Sequence, residues 1–257
     1  MSEPGTGLPP AVELLWGLRD KGRRGGPKPA LSLDKIVAAA VALADEGGIA
    51  ALSMGRLAER LGFTPMSLYR YVASKEELLL LVLDAGIGVP SAGPGGPWRD
   101  QVRGWCQELT LCYRQHPWML DVPISGLPAG PNQLAWFDRG LAALADTTLD
   151  EGEKASAVLL LATFVRTQAQ LVRDILGAMA ADATEQPWSA VVTRLADPER
   201  YPAVARVIAA GVFDDDATPP GRGEDAFPDD EYSFGLDRIL DGLAALDSTR
   251  RPPTPPP

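Results

Sequence analysis

The stretch Ser53–Lys75, SMGRLAERLGFTPMSLYRYVASK, restricts the fold of this chain more than any other segment. Two short helical patterns flank one glycine. Helices joined so tightly need a small residue at their crossing and a residue that tolerates positive φ in the turn, and Ala58 and Gly62 meet these needs. Thr64 as N-cap and Pro65 as first helical residue start the second helix, which is predicted over 64–72. The apolar anchors are Leu57, Leu61, Leu68 and Val72. The segment predicts a helix-turn-helix.

The second helix of this motif is expected to read DNA. In such motifs its first turn reaches base edges in the major groove, where hydroxyls exchange hydrogen bonds and apolar groups meet a thymine methyl. The residues expected to face the bases are Thr64, Pro65, Met66 and Ser67. Arg70 is expected to reach a guanine or a phosphate, and Tyr69 and Lys75 to bind phosphates. Tyr71 is a further candidate for a DNA contact. The alternatives are packing with the hydroxyl at the surface for the tyrosines and a solvated charge for Lys75.

Helical periodicity continues on both sides of the motif. A helix begins after Ser32 and ends at Gly47 and Gly48, and another begins with a capping box formed by Ser74 and Glu77. After the stretch GIGVPSAGPGGP, helical patterns recur at about 98–115, 131–145, 150–179, 187–196, 198–210 and 229–247. No segment alternates between apolar and polar residues with a period of two. The sequence therefore predicts an all-α fold.

Charge is distributed unevenly along the chain. The net charge is −10, yet residues 1–75 hold ten Lys and Arg against seven Asp and Glu, which gives +3. Residues 76–257 hold fourteen against twenty-seven, which gives −13. A phosphate backbone responds to the local patch, so the basic first part is compatible with a DNA partner. The alternative is that residues 76–257 form an acidic, solvated domain and that the charge of residues 1–75 has no functional meaning. The candidates for a further minor-groove or phosphate contact are Lys21, Arg23, Arg24 and Lys28.

The segment LSLDKIVAAAVALADEGGIAALSMGRLAERLGFTPMSLYRYVASKEELL, with its LYRYVASKEEL signature, resembles the DNA-binding domain of the TetR (tetracycline-repressor-like) family of bacterial transcription regulators. The resemblance covers about residues 31–84. It implies a homodimer that reads a pseudo-palindromic operator in double-stranded DNA. Tyr69 and Lys75 match the family's phosphate-contacting positions, and 64–67 match its base-reading turn. Gly55 departs from the family pattern, because many members carry a longer side chain there.

The resemblance also implies a domain organisation. It places a three-helix helix-turn-helix DNA-binding domain over 31–84. A fourth helix then leads to an all-helical ligand-binding and dimerisation domain over 97–247. The Gly- and Pro-rich composition of residues 1–30 predicts a flexible N-terminal arm, within which the apolar island AVELLWGLR follows helical spacing. The proline-rich tail over 248–257 is expected to be disordered.

Regulators of this type sense a small molecule in a pocket between helices. Such a pocket needs apolar and aromatic walls with a few polar groups. The candidates for its apolar wall are Trp105, Trp118, Met119, Trp136, Phe137 and Phe164. Their polar partners are Arg166, Gln168 and Gln170. These walls suggest a hydrophobic or aromatic effector, and the alternative is that the aromatic residues are packed core.

Two helices are candidates for a dimer interface. The segment 155–171 is more apolar than one exposed face permits, so its helix must be buried on nearly all sides. In the last helix the repeating apolar residues are Phe234, Leu236, Ile239, Leu240, Leu243 and Leu246. Together the two helices suit a four-helix interface between two copies. The alternative is that both lie inside a monomer.

Other functional classes find no support in the sequence. Cys106 and Cys112 lie on different faces of one predicted helix, so they form no disulfide and suggest a reducing compartment. His116 is the only histidine, which argues against a metal site, and no phosphate loop or nucleophile motif is visible. No signal segment or membrane-length apolar run is seen. We expect a cytoplasmic protein with no enzymatic activity, cofactor, metal or membrane partner.

The sequence as a whole predicts a ligand-responsive repressor that a small molecule releases from DNA. The alternative from another class is a helical module that binds protein instead of DNA. That alternative predicts no salt-dependent DNA binding and no effect of Tyr69→Phe or Lys75→Ala.

Overall fold

The computed structural model of the protein describes residues 6–18, 30–124, 129–181, 188–212 and 229–250. In these ranges every regular element is a helix, which confirms the all-α prediction. Contacts divide the chain into two compact units, one of 1–170 with 236–257 and one of 171–235. The helix-turn-helix and the beginning of the larger helical body therefore belong to the same unit.

The segment predicted as a flexible arm contains a short helix, α1 (Pro10–Leu15). Its proline stands at the first helical position, where the missing N–H has no partner to lose. The Nε1 of Trp16, just after the helix, donates a hydrogen bond to the carbonyl of Ala129 at 2.8 Å. The basic residues proposed to touch DNA, Lys21, Arg23, Arg24 and Lys28, lie outside the described residues.

The DNA-binding head is built from three helices as predicted. These are α2 (Leu33–Gly47), α3 (Met54–Leu61) and α4 (Pro65–Tyr69), with a 3-10 helix over Ile49–Ala51 between the first two. The hydroxyls of Ser32 and Ser53 cap α2 and α3 by accepting backbone N–H groups three residues later. Their packed interior includes Ile36, Ala40, Leu57, Ala58, Leu68 and Val72. The predicted anchor Leu61 is only half-buried.

Helix α4 ends three residues earlier than the sequence predicts. The N–H groups of Tyr71 and Val72 both donate to the carbonyl of Leu68, at 2.8 and 3.0 Å. The bond from Tyr71 spans three residues instead of four, so the last turn tightens and the regular α-helical ladder ends there. The turn that follows places the side chain of Val72 in the core.

Helix α5 (Lys75–Ile87) connects the head to the body and begins with the predicted capping box. The hydroxyl of Ser74 accepts the N–H of Glu77 at 3.1 Å. In return the Glu77 carboxylate accepts an N–H from Ala73, one residue before the N-cap, instead of from the N-cap itself. Gly88, with φ +62°, ends the helix.

The body part of the first unit is formed by α6 (Trp98–Gln115), a 3-10 helix over Pro117–Asp121, α7 (Pro131–Ala143) and most of α8 (Glu151–Ala181). The last helix, here called αC (Asp229–Arg250), joins this unit from Leu236 onward. Ion pairs tie it to α6 and α8. They are Arg99 with Asp241, Arg103 with Asp237, and Arg250 with Glu153.

The second unit contains two shorter helices, α9 (Trp188–Leu195) and α10 (Pro202–Ala209). The sequence predicted the second of these from Pro198. It begins instead at Pro202, because a proline inside a helix would remove one backbone hydrogen bond and clash with the preceding turn. At the first helical position the same proline costs nothing.

Both cysteines are free thiols, as expected from their spacing. Burial raises the pKa of Cys106 to about 12. Burial, aided by the negative charge of Glu108, also raises the pKa of Cys112. Since the thiolate is the reacting species, both thiols should be poor nucleophiles at neutral pH.

We expect iodoacetamide to alkylate Cys106 in the folded protein at least roughly 1,000-fold more slowly than a free cysteine at about pH 8, because so little thiolate is present. Mass spectrometry over a time course measures the rate. Unfolding in guanidinium should restore ordinary reactivity and serves as the control. Rapid alkylation of Cys106 in the folded protein would contradict the buried placement.

Candidate nucleic-acid interface

Helix α4 exposes its first turn to solvent, and its buried residue Leu68 packs against the rest of the head. Thr64, Pro65 and Met66 are exposed, and Met66 keeps 73% of its surface accessible. Leu68, on the opposite side, is completely buried. A helix of this length has little stability alone, so the packing of Leu68 against the head must hold it in place.

The turn before α4 needs its glycine. Gly62 adopts φ +74° and ψ 29°, a left-handed conformation that other residues rarely take. The N–H of the following Phe63 donates to the carbonyl of Ala58 at 2.9 Å, which closes the end of α3. The chain is thereby turned from α3 into α4 within three residues, as the helix-turn-helix prediction requires.

Thr64 occupies the N-cap position of α4, but its hydroxyl makes no capping bond to the backbone. It pairs with the hydroxyl of Ser67 at 3.0 Å. The N–H of Ser67, one of the usual partners of an N-cap side chain, is taken by the Thr64 carbonyl at 2.9 Å. Two hydroxyls that share one hydrogen bond keep a donor and further lone pairs available, which is the chemistry needed to read base edges.

Three longer side chains surround this turn. Tyr69, Arg70 and Lys75 are exposed, and among the described residues no hydrogen bond or ion pair holds their side chains. Lys75 is the first residue of α5, and the positive end of the helix dipole there favours an anion. A cation and a phenol beside an exposed helical turn form a surface suited to phosphates.

Tyr71 is placed differently from the other candidates. It is half-buried, and its hydroxyl donates to the carbonyl of Leu31 at 2.9 Å. This bond ties the turn after α4 to the residue that precedes α2. The bond gives Tyr71 a packing role, and a DNA contact from this residue stays a prediction.

The head meets the body at a carboxylate that the sequence did not indicate. Oδ1 of Asp45, near the end of α2, lies 2.7 Å from Nδ1 of His116 and 2.7 Å from Nε1 of Trp118. Nearby, a Cβ atom on Gly86 of α5 would come within 3.0 Å of the Trp118 ring. Trp118, predicted to contact ligand, is thus engaged in holding the head against the body.

Some of the remaining ligand candidates have packing partners within the protein, and the others are half-buried. Trp105 and Trp136 pack edge to face with ring centroids 6.1 Å apart, and Trp105 donates to the Trp136 carbonyl at 3.0 Å. Arg166 of α8 donates to the carbonyls of Met119, Leu120 and Val122 at 2.8–3.1 Å. The half-buried candidates are Phe137, Phe164, Gln168 and Gln170. The structure therefore gives several of these residues packing roles, and a ligand role for them stays a prediction.

A surface cavity of about 400 Å³ lies beside α6 and α7. At its edge, Arg139 and Glu108 form an ion pair at 2.9 Å. Burial by itself would raise the pKa of Glu108, but hydrogen bonds from Ser91 and the pairing with Arg139 together outweigh it and lower that pKa. The lining residues are Ser91, Ala92, Gly93, Pro94, Gly104, Gln107, Glu108, Leu111 and Arg139. None of them belongs to the predicted ligand set.

Comparison with known proteins gives matches along nearly the whole chain. Residues 36–82 match the family described as bacterial regulatory proteins, tetR family, and residues 89–246 match the tetracyclin repressor-like C-terminal domain. The chain is also similar to the HTH-type transcriptional repressor DrrR1 of Streptomyces coeruleorubidus. The two are 37% identical over 250 residues, which cover 93% of this chain and 87% of that protein.

Solved structures show the same architecture. Ligand-free ActR from Streptomyces coelicolor superposes with a TM-score of 0.69 at 27% identity, covering 88% of this chain and 100% of ActR. ActR in complex with actinorhodin gives a TM-score of 0.67 at 27% identity, covering 86% and 98%. The head and the helical body of this chain are therefore both similar to parts of known regulators.

Proposed function

The chain belongs to the tetracycline-repressor-like (TetR) family of bacterial regulatory proteins, and we propose that it is a homodimeric repressor that leaves its DNA operator when a small molecule binds the helical body. It is a DNA-binding transcription regulator with an N-terminal helix-turn-helix. Operator, dimer and effector are the parts that we propose.

One observation carries the proposal for DNA: the exposed first turn of α4 on a fully packed support. The residues proposed to meet bases are Thr64, Pro65, Met66, Ser67 and Arg70. Tyr69 and Lys75 flank them and are proposed to bind phosphates. Buried anchors keep the turn rigid, so little order has to be gained when DNA binds.

The exposed face of α8 supports the proposal of a homodimer. Only 28% of the apolar window within Glu151–Ala178 is buried, and Leu160 keeps 53% of its surface accessible. One side of the helix is packed, since Leu161 and Val165 are buried. In αC, Leu236 and Leu240 are buried within the same chain, as the monomer alternative expected, whereas Leu246 is exposed. A second copy is the partner that we propose for the uncovered apolar face.

A membrane is the other possible partner for α8. By length and composition alone this helix is apolar enough to cross a bilayer, but one such helix is weak support because helices of soluble proteins share these properties. The packed side of α8 and the ion pair of Glu153 with Arg250 place it within a helical body. We therefore propose a cytoplasmic regulator.

The effector that we propose is a large aromatic or hydrophobic compound. ActR was crystallised with actinorhodin, and DrrR1 is a repressor similar to this chain over most of its length. The proposed contacts remain Trp105, Trp118, Met119, Trp136, Phe137, Phe164, Arg166, Gln168 and Gln170. Because Trp105 and Trp136 are buried, a ligand that contacts them would have to shift their side chains.

The proposed mechanism is a shift between two populations. Two heads bind successive major grooves when they are about 34 Å apart, which is one turn of B-DNA. A ligand can bind more tightly to a conformation of the body in which the two heads have a different spacing. Such a ligand lowers the fraction of protein that is able to bind DNA. The effector then acts without touching the DNA interface.

We expect the protein to bind the DNA upstream of its own gene at nanomolar concentration, with affinity that falls steeply as salt rises. Fluorescence anisotropy with a labelled duplex measures this, and a scrambled duplex of equal length is the control. Actinorhodin serves as the first probe for release. Salt-independent or absent binding to every duplex tested would favour the protein-interaction alternative.

A further inference from the structure

Helix α7 begins without a cap of its own. Its N-cap residue is Gly130, which has no side chain, and Pro131 follows at the first helical position without an N–H. The first backbone donors are therefore those of Asn132 and Gln133. Donors at a helix start have no partner within the helix, and side chains or water usually supply one.

Asp84 of α5 supplies that partner from far away in the sequence. Its Oδ1 accepts the N–H of Gln133 at 3.0 Å and that of Asn132 at 3.1 Å. The side-chain amide of Asn132 donates in return to the Asp84 carbonyl at 2.8 Å. The carboxylate is buried, with 4% of its surface accessible. A residue of the connecting helix thus caps a helix of the body.

Gly130 shows that this contact shapes the local chain. Its φ of −79° is open to any residue, so the backbone does not require glycine there. A Cβ at this position would lie 2.0 Å from Oδ1 of Asp84 and 2.4 Å from its carboxyl carbon. The carboxylate therefore occupies the space of the missing side chain. Any larger residue would have to push it away from α7.

Because Asp84 and Lys75 lie on the same helix, a change in the contact of Asp84 with α7 can move the head. It lies nine residues after Lys75 in the same helix, which corresponds to about 13 Å at the usual helical rise. A rotation of α5 by about 10° around Asp84 would move Lys75 by roughly 2 Å. In a dimer both heads would move, so a small change at α7 alters the distance between them.

We propose that Asp84 is a positioning residue through which the body sets the spacing of the two DNA-binding heads, by capping α7 from the helix that carries Lys75. This inference rests on the proposed homodimeric regulator. Asp84 touches neither DNA nor ligand in this scheme. It transmits the position of α7 to the head.

The test measures the distance between the two heads directly. A spin label at Gly55→Cys is suitable because that position is exposed and a Cβ there meets no other atom. Cys112→Ser removes the more accessible natural thiol, and Cys106 is buried. Double electron–electron resonance on the full-length protein then gives one distance distribution between the heads.

We expect Asp84→Ala, which removes both acceptor oxygens, and Gly130→Ala each to broaden this distribution or shift it by several ångströms, and to weaken operator binding about tenfold. Asp138→Ala makes the same chemical change at an exposed position of α7 and should match the parent protein. A purely structural role would lower the melting temperature without changing the distance in the folded protein.

An unchanged distribution in whichever of the two variants folds would overturn the proposal. If the labelled parent protein shows no dipolar coupling between two spin labels, the proposed homodimer is wrong. The inference about Asp84 is then wrong as well. If the parent couples and binds its operator but Asp84→Ala behaves identically, only the role of Asp84 is lost. The two failures are therefore distinguishable.

Discussion

Replacing Lys75 by alanine is expected to weaken operator binding about 100-fold. The lysine is exposed at the start of α5, beside the turn proposed to enter the major groove. A hydrogen bond to a charged group contributes about 1.5–3 kcal/mol, and a dimer loses one such contact in each head. Each 1.4 kcal/mol corresponds to a factor of ten in affinity. Anisotropy titrations with the labelled operator measure the loss.

The salt dependence distinguishes a phosphate contact from a general loss of structure. Removal of two phosphate contacts per dimer should reduce the slope of log affinity against log salt by about 1.8. Tyr69→Phe removes only a hydroxyl, so it should weaken binding by roughly tenfold and leave that slope nearly unchanged. Lys154→Ala makes the same charge change in the body, where Lys154 pairs with Glu151. An equal effect of Lys154→Ala and Lys75→Ala would contradict the proposed interface.

Replacing Leu160 by glutamate is expected to convert the dimer to monomer and to reduce operator affinity by more than about 100-fold. Leu160 lies on the exposed apolar face of α8. In a symmetric interface each substitution buries two unpaired carboxylates, and an uncompensated buried charge costs about 3–5 kcal/mol. Sedimentation velocity at micromolar concentration measures the association, and the anisotropy assay measures the affinity.

Leu111→Glu is the matched control for this substitution. Leu111 is a leucine of α6 with 60% of its surface accessible, against 53% for Leu160, and it lies beside the surface cavity. It should leave both dimer and operator binding intact. If the parent protein is monomeric, or if Leu160→Glu stays dimeric, the proposed interface on α8 is wrong.

Features set by neighbouring residues were predictable from the sequence. Ser32, Ser53 and Ser74 cap helices because a hydroxyl before a helix reaches N–H groups two or three residues later. Gly62 forms the predicted left-handed turn for an equally local reason. The burial of Leu68 follows from helical periodicity. In all of these the cause and its effect lie within a few residues.

Predictions about individual side chains in the body were less specific. Aromatic residues suit a ligand pocket and a packed core equally well, and composition does not separate the two uses. Trp105 donates to the carbonyl of Trp136, and Trp118 donates to Asp45, so each indole has an internal partner. Arg166, predicted as a polar ligand contact, donates to carbonyls at the 3-10 helix Pro117–Asp121. Their placement depends on residues distant in the sequence.

The amino-acid sequence by itself determined that the chain is helical, where the turn of the DNA-binding motif lies, and which family it belongs to. These depend on spacing and on interactions with near neighbours. Only the tertiary structure decided that Asp84 caps α7 and that Tyr71 bonds to Leu31. Such pairs join residues some 40 or more positions apart. Helical periodicity places a residue on a face, but only the packed fold decides what that face meets.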